Sequence, residues 1–62
     1  MTTDEFTVLA RELIRPNLAF RARPGPRALR RRPNCVVVCV DLSSPTAAQD
    51  MRDGANRAEA RA

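Results

Sequence analysis

Two rhythms of apolar positions run along this chain. Near the N-terminus Phe6, Leu9, Ala10, Leu13 and Ile14 recur at spacings of three and four, with Asp4, Arg11, Glu12 and Arg15 between them. At about 100° per residue this gathers the apolar set on one side of a helix. Thr2 and Glu5 stand where a capping box needs them. Asp4 and Glu5 suit the N-terminal end of the helix dipole and Arg15 the C-terminal end. Pro16 disfavours helical geometry at Arg15, so the pattern predicts an amphipathic helix over 3–15.

The rhythm then changes. Leu18, Phe20 and Ala22 alternate with Ala19, Arg21 and Arg23, which predicts a weak strand over 18–23. Its apolar residues share one face, and Arg21 and Arg23 the other. Pro24-Gly25-Pro26 breaks the pattern and Pro33-Asn34 signals a second turn. Between them Leu29 is the only large apolar residue, so 24–34 reads as a flexible, Pro-bounded basic arm. Cys35 to Leu42 is the strongest strand signal, with four valines. Val36, Val38, Val40 and Leu42 make one face, and Cys35, Val37, Cys39 and Asp41 the other. Ser44 and Pro45 then read as the cap and first position of a helix. Its inner face is made of Ala47, Ala48, Met51, Ala55, Ala58 and Ala62, with Gly54 at the edge. The predicted helix spans 45–61.

The order helix, weak strand, arm, strong strand, helix predicts a small α+β fold in a single domain over 1–62. Two helices pack on a minimal two-stranded sheet, and the arm extends from it. A chain of 62 residues is short: a domain of this size buries only about 60% of the surface that its unfolded chain exposes. Marginal stability alone is therefore expected, with a ligand, a partner or self-association completing it. A strand apolar on both faces needs covering. The alternative to a polyanion binder is a small protein-interaction or regulatory subunit: Val36, Val38 and Val40 are the expected surface for a protein partner or a second copy, by pairing at a sheet edge, or the small-residue face of the second helix docks on a partner.

Charge changes this picture more than composition does. Residues 13–40 hold seven Arg and no acid, a net of +7, while 1–12 carry −2 and 41–62 carry −1, giving the overall +4. Arg presents a planar fork of donors that fits phosphate. The sequence thus points to non-enzymatic binding of nucleic acid or another polyanion through Arg21, Arg23, Arg27, Arg30, Arg31 and Arg32. All eleven basic residues are Arg and none is Lys. Together with abundant Ala and Pro, this matches the coding bias of a high-GC bacterium, which accounts for part of the Arg excess. The same bias leaves open a fragment or reading frame with no selected role. The lack of Tyr and Trp argues against base stacking.

Other chemistry is poorly served. The chain has no His, no glycine-rich phosphate loop and only two Cys. No catalytic residue, metal ligand set or cofactor site is expected, and the protein is read as not an enzyme. On one strand Cys35 and Cys39 stand about 13 Å apart, beyond the roughly 7 Å of a disulfide. Asp41 reads as a strand terminator and Ser44 as a helix cap. The acidic start lacks the pattern of a secretory signal, and no apolar run could span a membrane. A cytoplasmic location and no membrane partner follow as expectations.

Overall fold

The computed structural model describes residues 1–60, and the elements run in the order helix, three strands, helix. The protein is a small α+β fold. Helix α1 spans Thr3–Leu13 and opens on the capping box: the Thr2 hydroxyl accepts from the Glu5 amide, and the Glu5 carboxylate accepts from the Thr2 amide, both at 3.1 Å. The helix closes two residues earlier than expected, with Ile14 in an extended conformation as its C-cap. Pro16 forbids the geometry that Arg15 would need, and Ile14 gains nothing from continuing, since it stays 52% exposed. Phe6 and Leu9 are buried, and Ala10 and Leu13 pack at the margin.

Strands β1 (Phe20–Pro24), β2 (Ala28–Arg32) and β3 (Cys35–Val40) form one sheet in the order β1-β3-β2. β3 runs parallel to β1 and antiparallel to β2. The expected two-stranded sheet with a flexible arm is corrected here: the arm contains β2. Its backbone partner lies in β3, outside the segment, so pairing supplies what the local apolar pattern does not. The link from Pro24 to Ala28 crosses the end of β3. Two inter-strand spacings measure about 9.6 Å, and four residue steps reach at most about 14 Å, so the link is just long enough. The Gly25 amide donates to the Val40 carbonyl at 2.9 Å and fixes the crossing. Pro33 and Asn34 then make the tight turn from β2 into β3.

Both helices lie on the same side of the sheet. Helix α2, Ala47–Ala60, rests on β3 and β1, and α1 packs beside it. Met51 and Val40 are fully buried at the centre, surrounded by Phe6, Leu9, Phe20, Val36, Val38, Ala47, Ala55 and Ala58. Gly54 is also buried, and a Cβ there would stand 3.0 Å from Val38 Cβ and 3.2 Å from Phe20 Cε2. The helix approaches the sheet this closely only because that position lacks a side chain.

Helix α2 starts two residues after the expected Pro45. The Ser44 hydroxyl accepts from the Thr46 amide at 3.3 Å, but the first full-turn bond runs from the Asp50 amide to the Thr46 carbonyl at 2.8 Å. Of the expected end, Arg61 and Ala62 lie outside the described residues. The N-terminal amino group donates to the Leu42 carbonyl at 2.8 Å, tying the start of the chain to the loop after β3.

Candidate anion-binding sheet face

Alternation along the three strands sorts the arginines. In β1, Phe20 and Ala22 register with Val36 and Val38 and face the helices, so Arg21 and Arg23 register with Val37 and Cys39 on the opposite side. In β2, Arg30 pairs with Val37 and Arg32 with Cys35, on that same opposite side. Leu29 and Arg31 pair with Val38 and Val36, so they belong to the helix side. Among the described residues no helix covers the side that carries Arg21, Arg23, Arg30 and Arg32. These four exposed side chains surround Cys35, Val37 and Cys39, lining a shallow depression of about 510 Å³.

Four of the six expected binding residues are therefore brought together, and two are not. Arg27 sits beyond the sheet and pairs with Asp50 at 3.4 Å; the Asp50 side chain is 11% exposed. Arg31 is exposed at the rim of the helix side. The expected cluster in an arm is replaced by two pairs flanking a central apolar strand. Arg21 and Arg30 face each other across Val37, about 9.6 Å apart at their Cα atoms by strand spacing. Within each pair the spacing is about 6.6 Å.

Among the described residues the face carries no carboxylate, because every Asp and Glu lies in a helix or in the loop after β3. The two ion pairs among the described residues, Arg15–Glu59 and Arg27–Asp50, leave the four arginines unengaged. Four like charges on one solvated face cost little in water, and they create a positive field over it. Both aromatic residues are out of reach, with Phe6 and Phe20 buried in the core. The face can meet anionic groups through guanidinium forks, but it offers no ring on which a base could stack.

The expected docking surface needs correction as well. Val36, Val38 and Val40 are 5%, 4% and 0% exposed, covered by the helices of the same chain. β3 is the central strand, so its edges are already paired. The apolar residues that β3 does present are Cys35, Val37 and Cys39, all half-buried.

Asp41 has a local role. Its carboxylate accepts from the Ser43 hydroxyl at 2.7 Å and the Ser43 amide at 2.9 Å, and these bonds hold it below the usual carboxylate range. It turns the chain from β3 toward α2. Among the described residues no group of three or more His, Cys, Asp or Glu side chains is placed to hold a metal ion, and no helix is long and apolar enough to cross a membrane.

No protein family matches the chain, and neither does any curated protein or solved structure.

Proposed function

We propose that the open sheet face binds nucleic acid or another polyanion, without catalysis and without reading base sequence. The observation that carries this reading is the convergence of Arg21, Arg23, Arg30 and Arg32 on one uncovered face that holds no acid. Composition can raise the number of arginines in a chain. It does not by itself sort four of them onto one face of a sheet and put every acid elsewhere. Contact is made to phosphate or sulfate groups, and the buried aromatics leave the bases unstacked. The reading places the protein in the cytoplasm, where Cys35 and Cys39 rest as thiols and any disulfide on them is transient.

The test is fluorescence anisotropy with a labelled single-stranded oligonucleotide. If all four arginines meet phosphates, log K falls with log[salt] at a slope of about −3. Replacing Arg21, Arg23, Arg30 and Arg32 together by Gln brings the slope close to zero and abolishes binding at moderate salt. The pair Arg27→Gln and Arg31→Gln, off the face, leaves most of the affinity. Homopolymers of different base bind alike. Equal loss from both sets of substitutions would overturn the assignment to this face.

A further inference from the structure

The two thiols lie inside the charged face rather than beside it. Cys35 and Cys39 are free and half-buried, on the central strand. Cys35 registers with Arg32, Cys39 with Arg23, and Val37 between them with Arg21 and Arg30. Each sulfur is thus within one or two strand positions of several guanidinium groups. The two cannot bridge each other, since four residues of strand separate their Cα atoms by about 13 Å and a disulfide spans about 7 Å at most. Neither thiol can therefore discharge an oxidising equivalent into an internal disulfide, and a bond to an outside sulfur is a reversible form open to both.

We propose that Cys35 and Cys39 are modification sites for small anionic thiols, taken up as mixed disulfides from their oxidised forms, and that this modification closes the face to polyanions. The second half rests on the function proposed above; the first does not. The step is a thiol–disulfide exchange. The cysteine gives its proton to solvent, and its thiolate attacks one sulfur of the incoming disulfide. A new S–S bond forms as the old one breaks. The departing thiolate carries off the electron pair, so the cysteine is oxidised and half of the disulfide is reduced. The four arginines do not react. They raise the concentration of an anionic disulfide over the face and attract the carboxylates of the bound half. The adduct then sets negative charge among the guanidinium groups that a polyanion would use.

The selectivity is electrostatic and can be measured as a ratio. Two colourimetric disulfides, dianionic dithiobis-nitrobenzoate and neutral dithiodipyridine, are reacted with the full chain and with Cys35→Ser and Cys39→Ser, each rate being taken relative to that of a free cysteine peptide. The anionic reagent is expected to be favoured over the neutral one by roughly tenfold at low salt. That preference falls toward one at high salt and in the variant with Gln at 21, 23, 30 and 32. Oxidised glutathione adds one tripeptide per reacting thiol by mass, and the loaded protein loses oligonucleotide binding until a reductant restores it. A ratio near one in the unaltered chain at low salt overturns the inference. So does full oligonucleotide affinity in the loaded protein. If the unaltered chain binds no oligonucleotide while the ratio and its salt dependence hold, the polyanion function fails and the thiol sites stand.

Discussion

Replacing Gly54 by Ala tests the helix-on-sheet geometry, because two effects of opposite sign compete there. Ala is the better helix former, by about 0.8–1 kcal/mol at a helix-interior position. The new methyl would, however, meet Val38 Cβ at 3.0 Å and Phe20 Cε2 and Val38 Cγ1 at 3.2 Å. Val38 belongs to the central strand and its Cβ moves only with the backbone, while Phe20 is 3% exposed and wedged in the core. Overpacking of this kind costs about 1–3 kcal/mol. The difference predicts a net destabilisation of about 1 kcal/mol, with the packing cost exceeding the propensity gain. In a domain of this size that lowers Tm by about 4–8 °C. Gly54→Val adds two more carbons and a poorer helix former, and it falls further. The assay is thermal and urea unfolding followed by far-ultraviolet circular dichroism, with Asn56→Ala on the exposed side of the same helix as the propensity control. If Gly54→Ala raises Tm as Asn56→Ala does, α2 does not sit tightly on Val38 and Phe20. The division of the sheet into a covered and an open face then loses its basis.

Two further outcomes follow from the core and the first helix. Met51 is fully buried, so Met51→Ala costs about 2–5 kcal/mol; a large loss of the helical signal at 25 °C is expected, and a cooperative melt within a few degrees of the parent's contradicts it. Thr2→Ala removes the hydroxyl that caps α1 and costs about 1 kcal/mol, seen as a lower urea midpoint with unchanged slope. The bonds to Thr2 hold Glu5 below its ordinary value, and those to Ser43 do the same for Asp41. A carboxylate lowered in the folded state stabilises above its unfolded value, and the contribution is lost as pH falls through the folded one. Acidification therefore lowers the parent's urea midpoint, and Glu5→Gln, which lacks the carboxylate that the Thr2 amide bonds while the Thr2 hydroxyl still caps the helix, loses less of its own midpoint over the same range; an equal loss in both contradicts this.

The sequence was most informative where apolar residues repeat. Phe6, Leu9 and Leu13 at helical spacing mark α1, and Val36, Val38 and Val40 at spacing two mark the covered face of β3. The faces of β1 were legible too, since Phe20 and Ala22 oppose Arg21 and Arg23. β2 was not, and the reason is physical. Ala28-Leu29-Arg30-Arg31-Arg32 lacks strand alternation because it is an edge strand with one side open to solvent and the other only partly covered. Its order comes from backbone bonds to β3, which no local pattern records. Missing β2 also hid the site: an arm keeps Arg27, Arg30, Arg31 and Arg32 together, whereas a strand sends Arg30 and Arg32 to one side and Arg31 to the other. The available signal was the Pro33-Asn34 turn leading directly into a strong strand, which is the mark of a hairpin.

In the proposed function, polyanions meet the face bearing Arg21, Arg23, Arg30 and Arg32. Nuclear magnetic resonance of the protein titrated with a short oligonucleotide tests it most directly, through the methyl groups of Val37 and Val8 and the Nε signals of the arginines. Shifts are expected at Val37 and at the four arginines of the face, with Val8, exposed on α1, and Arg27, paired with Asp50, left in place. Shifts centred on Arg27, Arg31 and Arg57, or none at saturating oligonucleotide, would contradict it.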